Sequence, residues 1–166
     1  MLKLYGLSCL KDLNGMFAFC YLNILENTFT LVRDRFGQKP LYYSIDEDSC
    51  YFASEIKSLL SAGINNSPNF SSISEYLHKG KIDCSEYTWF ENVKQIEAGT
   101  FVQIKDIKVI NKVRWYILEN FKKVCIPKNE NEKNELINSI FTNVCNENLN
   151  SDAKIGVKLS GGLDSS

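Results

Sequence analysis

The chain has one histidine, His78, among its 166 residues, only three prolines, and no pair of its six cysteines at Cys-x-x-Cys spacing. A zinc centre needs cysteines and histidines clustered at short intervals, and a solitary histidine without partner spacing offers none, so His78 reads as a surface helix residue. The cysteines, at positions 9, 20, 50, 84, 125 and 145, are scattered through a chain long enough to bury a core. They predict reduced, mostly buried thiols and a cytoplasmic setting rather than a disulfide framework. No apolar stretch approaches the roughly 20 residues that span a bilayer. The opening "MLKLYGLSCLKDLNG" has neither the apolar centre nor the small-residue cleavage site of a secretory leader. Net charge is missing too: 19 Lys and Arg against 20 Asp and Glu leave −1. Neither nucleic acid nor an anionic membrane has an electrostatic reason to bind.

What is present is apolar periodicity, with 44% hydrophobic residues to build a core. The N-terminal segment has the spacing of an amphipathic helix running into a turn at Asn14-Gly15. "MFAFCYLNIL", from Met16 to Leu25, and "FTLVRDR" predict two strands joined at "ENT". "LYYSIDEDSCYFASE" predicts two more around the acidic turn Asp46-Glu47-Asp48, so an antiparallel meander is expected here. Ser54 is placed to cap a short helix that Gly63 ends, and "SSISEYLHKG" predicts another with serine at its start and glycine at its stop. "GTFVQIKDIKVINKVRWYI" returns to alternation, as a hairpin turning near Asp106. The charged, asparagine-rich "LENFKKVCIPKNENEKN", broken at Pro127, suits an inter-domain linker. Beyond it Leu136, Ile140 and Val144, with Ile137 and Phe141 beside them, draw one apolar helical stripe that Asn150-Ser151 stops. "KIGVKL" then predicts a short strand leading into glycines.

Those glycines carry the chemistry. A strand followed by Ser-Gly-Gly-x-Asp-Ser lets successive backbone N–H groups point at one anion, because glycine removes the Cβ atoms that would block approach. Ser160, Ser165 and Ser166 add hydroxyls. The tract is not G-x-x-x-x-G-K-[ST], since no lysine follows, nor G-x-G-x-x-G, nor the G-x-S-x-G elbow. A plain turn at Gly161-Gly162 with Asp164 as a helix N-cap competes with phosphate binding. Position directly after an apolar strand favours phosphate.

"LSGGLDSS" resembles the pyrophosphate loop of the ATP pyrophosphatases, in particular the opening of the synthetase domain of glutamine-hydrolysing asparagine synthetases. "LNGMFAF", "VRDRFGQKPLYY", "FASEIKSLL" and "QIEAGTF" agree with the same family in the same order. The resemblance implies an α+β fold followed by α/β. Residues 1–116 would be part of an N-terminal-nucleophile glutaminase domain, two antiparallel sheets between helices. Residues 117–129 would be a linker, and 130–166 the first helix and strand of a parallel-sheet ATP-pyrophosphatase domain. It further implies ATP-dependent amidation of aspartate through β-aspartyl-AMP, with glutamine as nitrogen donor, ATP and magnesium as cofactors, and a homodimer among the assemblies it allows. Carried across, Leu159 touches the adenosine side through its backbone, Ser160, Gly161, Gly162 and Ser165 line the pyrophosphate, and Asp164 holds magnesium, a hard cation that prefers oxygen ligands.

The pattern is departed from at the front. The family's nucleophilic cysteine follows the initiator methionine, whereas Leu2 stands here; Cys9 lies inside the predicted helix, and the glutamine-binding "RGPD" and "NGEIYN" segments are absent. The expectation is a piece truncated at both ends, inactive alone and without a catalytic residue of its own. Arg33, Asp34 and Arg35 can either bind a substrate carboxylate or hold a strand-end turn around Gly37 and Pro40, and the resemblance favours the turn. Trp89, Phe90 and Trp115 read as packing rather than a stacking platform. Two other readings stay open: a related amide-forming or ring-closing synthetase acting on another carboxylate, and a non-catalytic nucleotide-binding module.

Overall fold

Thr28–Arg33 (β2) carries apolar side chains toward both faces, with Leu31 and Val32 fully buried on opposite sides. A strand of this kind must lie inside a sheet that is covered twice. In a computed structural model of the chain, which describes residues 1–82, 84–120 and 125–163, β2 sits between Ala18–Asn23 (β1) and Thr100–Lys105 (β6). Lys108–Arg114 (β7) completes the antiparallel order β1-β2-β6-β7. A second antiparallel sheet pairs Tyr42–Ile45 (β3) with Cys50–Ala53 (β4) on one side and Lys94–Gln95 (β5) on the other. The expected meander is therefore split. The partners of β2 are β1 and β6, with Leu31 opposite Val102, and β3 belongs to the other sheet. A strand apolar on both faces needs a neighbour on each side, and the turn through Pro40 directs the chain away before β3 can supply one.

Alternation decides the layers. Leu31, Val102 and Ile104 from the first sheet meet Tyr43 from the second, with Leu41 and Ile96, in the core between the sheets. Their sequence neighbours Val32 and Phe101 face the other way and pack on Leu10. Leu10 lies in the helical N-terminal segment, Leu2–Tyr5 (α1) followed by a 3-10 stretch over Gly6–Asp12. The predicted single helix is thus broken at Gly6. Tyr42 and Tyr51, on the far side of the second sheet, pack against Leu59 of Ile56–Ser61 (α2), with Ile64 and Val93. Helix, sheet, sheet, helix is the arrangement that the resemblance implied for this region.

The caps differ in detail. Glu55, not Ser54, is the N-cap of α2, and its side chain makes no capping bond. Phe70–Lys79 (α3) starts one residue earlier than predicted, capped by Asn69, whose side chain accepts from the Ser72 N–H, and it ends at left-handed Gly80. Asparagine and serine cap about equally well, and here it is Asn69, extended at φ −83° and ψ 90°, whose side chain reaches the Ser72 N–H. The hairpin turn falls at Asp106-Ile107 as predicted, both residues at positive φ, 47° and 60°.

The chain divides into the units Met1–Phe121 and Lys122–Ser166. In the second, Glu130–Asn148 (α4) forms as the apolar stripe predicts, capped by Asn129. The predicted strand over "KIGVKL" does not form: residues 154–160 have no strand pairing among the described residues. A strand exists only as part of a ladder, and no described segment of that unit offers one. No described helix is long and apolar enough to cross a membrane. The cysteines are free, but burial is less general than expected: Cys9 is buried, Cys20, Cys50 and Cys145 are half-buried, and Cys84 and Cys125 are exposed.

Candidate functional site

Two places need testing against the chemistry suggested by the sequence: the Arg33–Pro40 turn and the terminal glycine tract. At the first, β2 ends by turning two charged side chains inward, Arg33 at 8% exposure and Asp34 at 0%. Arg33 donates from Nε to the Lys39 carbonyl at 2.8 Å, from Nη2 to Gly37 at 2.8 Å, and from Nη1 to Ile96 at 2.7 Å and to Gln95 Oε1 at 3.3 Å. Asp34 does the converse. Its Oδ1 accepts from the N–H groups of Phe36 and Gln38 at 3.1 and 3.0 Å, and its Oδ2 from those of Lys39 and Phe17 at 2.9 and 3.3 Å.

Every one of these bonds goes to the chain's own backbone or to Gln95. A guanidinium and a carboxylate so engaged hold a turn rather than a substrate, which settles the choice in favour of scaffold. Arg35 differs: it donates from Nη2 to the Lys11 carbonyl at 2.8 Å and lies 5.3 Å from the Tyr116 ring centroid.

Gly99 completes this junction. Its N–H donates to the Asp34 carbonyl at 2.7 Å, and its own carbonyl accepts from Trp115 and Tyr116 at 2.8 and 3.1 Å. With φ at +61°, a Cβ there would lie 2.9 Å from the Tyr116 Cβ, closer than side chains approach. Gln95, 2% exposed, links the junction to the second sheet, accepting from Arg33 and donating from Nε2 to the Ser85 carbonyl. Both residues lie in the "QIEAGTF" motif, but the sequence assigned neither a role, because the partners of Gln95 come from segments remote along the chain.

Around this junction the inter-sheet space is polar at its edge. Lys112 of β7 bridges Glu97 and, at 3.6 Å, Glu86, which also pairs with Lys94 at 3.4 Å. Burial works to lower the Lys112 value, but the two carboxylates outweigh it and the net shift is upward. Tyr43 is pushed up to about 12 by burial first and by the Glu86 carboxylate next. Burial also pushes the Cys20 and Cys50 thiols up. Trp115 stacks on Phe17 at 6.2 Å and Phe90 packs against the α2 cluster, as packing residues do. Trp89 is 45% exposed. His78 is exposed on α3, its Nδ1 2.8 Å from the Ser74 carbonyl oxygen. No group of three His, Cys, Asp or Glu among the described residues is placed to hold a metal.

At the terminal tract, the chain runs irregularly through Leu159, 75% exposed, and Ser160, bends at Gly161 and Gly162, and turns at Leu163. Gly161 has φ +76°, and a Cβ built there meets nothing within 4 Å. A left-handed residue is one component of the backbone geometry that turns successive N–H groups toward one point. The space beside it is open. Ser160, Gly161 and Gly162 are contiguous and exposed to solvent, while Asp164 and Ser165 lie outside the described residues.

Residues 1–116 match the family of the glutamine amidotransferase domain. The chain is 32% identical over its whole length to a provisionally named asparagine synthetase [glutamine-hydrolyzing] 2 of Methanocaldococcus jannaschii, of which it covers 33%. It is 35% identical over 94% of its length to asparagine synthetase [glutamine-hydrolyzing] 1 of Bacillus subtilis, and 30% identical over 99% to amidase chry2 of Gibberella zeae. It spans 24% of each of those two proteins.

Proposed function

From the premise that this chain belongs to the glutamine amidotransferase domain family, we propose that it works as part of a glutamine-hydrolysing asparagine synthetase. The reaction is the ATP-dependent conversion of aspartate to asparagine through β-aspartyl-AMP, with glutamine as nitrogen donor. The observation that supports this reading is the reach of the similarity. A match over 100% of the chain extends beyond residue 116, through α4 and into the terminal tract, in a protein named for that activity.

The tract suits the role by its donor set. Gly161 at φ +76° has the left-handed backbone that L side chains rarely adopt and that anion-binding nests use. In this reading Ser160, Gly161, Gly162 and Ser165 hold the pyrophosphate, the Leu159 backbone meets the adenosine side, and the Asp164 carboxylate supplies oxygen to magnesium. Bound magnesium-ATP supplies the leaving group that makes a carboxylate electrophilic. The backbone donors act where negative charge grows on departing pyrophosphate, and removing one donor from such a site costs about 10²–10³ in rate. The glutamine half-reaction needs a nucleophile.

The test is an assay of the intact protein with aspartate, glutamine and magnesium-ATP, following asparagine, AMP and pyrophosphate. Asp164→Ala and Gly161→Val should each lower AMP formation about hundredfold or more. Failure of the parent protein to form AMP with aspartate would reject the reading. One second reading is a related synthetase with another acceptor, since a protein of a different name, amidase chry2, matches 99% of the chain at 30% identity. AMP released with a different carboxylate and not with aspartate would select it.

A further inference from the structure

Trp89 and Tyr87 are large aromatic side chains left 45% and 56% exposed beside the buried cluster of Leu59, Ile64 and Val93. With Tyr42 they line a cavity of about 290 Å³, whose helical wall is α3. This size lies at the lower end of what small-molecule sites enclose, and aromatic walls with a few convergent polar groups are their usual make-up.

The walls are held in place. Thr88 Oγ1 donates to the Val93 carbonyl at 2.7 Å and accepts from the Phe90 N–H at 3.1 Å, which locks the loop that carries Trp89. The Trp89 carbonyl accepts from the Asn69 N–H at 2.7 Å, and the Glu91 N–H donates to Ser67 at 3.0 Å, tying that loop to the start of α3. The Trp89 ring rests 5.1 Å from Tyr76 on the same helix. A pocket whose walls are ordered before a ligand arrives loses little freedom on binding.

Its charges come in opposite signs. Glu75 lies on the cavity face of α3, and Lys81 returns to the rim after the left-handed turn at Gly80. The Glu75 carboxylate is shared with Lys79 at 3.3 Å, an exposed pair one turn apart that yields readily to a competing cation. We propose that this cavity binds a small aromatic zwitterion, with its ring against Trp89, Tyr87 and Tyr42, its ammonium on Glu75 and its carboxylate on Lys81. The site lies within Met1–Phe121 and does not depend on the reading of the terminal tract.

The probe is L-phenylalanine, titrated into the full chain by calorimetry and by tryptophan emission, from Trp89 and Trp115 together, alongside 2-phenylethylamine and 3-phenylpropionate. Saturable phenylalanine binding with a Kd below about 1 mM is expected, with each single-charge analogue about tenfold weaker. Glu75→Gln should weaken phenylalanine and the amine about tenfold and leave 3-phenylpropionate unchanged; Lys81→Met should do the converse. Both positions are exposed, so thermal melts of the variants should match the parent. Absence of saturable binding up to about 10 mM, or charge variants that change all three ligands equally, overturns the proposal.

Discussion

The two units of this chain carry apolar signals of similar strength and do different things with them. In Met1–Phe121, alternating strands find partners on both sides and close three buried clusters. In Lys122–Ser166, α4 presents Ile137, Ile140, Phe141 and Val144, all substantially exposed, and no α4 residue is buried. The helix still forms because its hydrogen bonds are internal and Asn129 caps it, whereas the strand predicted after it does not, because its bonds would be to a neighbour. Local pattern is enough for a helix. A strand also needs company.

The largest expected effect attacks the ordered unit at its turn. Asp34→Ala removes the acceptor of four backbone N–H groups at a fully buried position and should lower stability by upward of about 4 kcal/mol in a urea melt. An unchanged midpoint would mean that the turn holds itself. Next comes a matched pair of truncations. Leu31→Ala should cost about 2–5 kcal/mol, whereas Ile140→Ala on α4 should change the main transition by less than about 0.5 kcal/mol. Equal losses would erase the distinction between the units.

A smaller effect is readable in pH. Tyr43, raised to about 12 from 10.0 in the folded chain, keeps its proton when the unfolded chain has begun to lose it. The native state then binds more protons than the unfolded one, so this contribution is complete below pH 10 and is lost as pH rises toward 12. Relative to Tyr43→Phe, the parent should lose up to about 2–3 kcal/mol across that window. Parallel curves for the two proteins would show that burial does not hold the phenol neutral. The smallest effect is a gain. Ile107, a β-branched residue at φ +60°, is strained in its turn. Ile107→Gly should stabilise the hairpin by about 1 kcal/mol, seen as a higher melting temperature.

Much of the first unit was legible residue by residue. Leu31 and Val32, Tyr42 and Tyr43, Phe101 and Val102 each declare two faces, and the acidic turn at Asp46-Glu47-Asp48 and the reversal at Asp106 join their strands as the pattern suggests. The Arg33–Asp34 turn was legible only as a choice between substrate binding and scaffold. Arg33 is answered by carbonyls of Gly37, Lys39 and Ile96, and no spacing rule links Ile96 to Arg33. Asn69 rather than a serine caps α3 because its extended backbone, at φ −83° and ψ 90°, places its side-chain oxygen on the Ser72 N–H. At the terminal tract the glycines were read as an expected anion site, and what the structure gives there is a left-handed backbone at Gly161.

From composition and order alone came the kind of most elements, the reversal of the last hairpin near Asp106, the helix stripe of α4 and the succession of motifs that marks the family. These depend on residues within a few positions of one another, where sterics and periodicity act without help. Only the tertiary structure decided that Leu31 pairs with Val102, that Arg33 and Asp34 face inward to be satisfied by backbone, and that Trp89 is left at a cavity wall. Sheet pairing and burial are settled between segments remote in the chain, by competition for partners that no local pattern records.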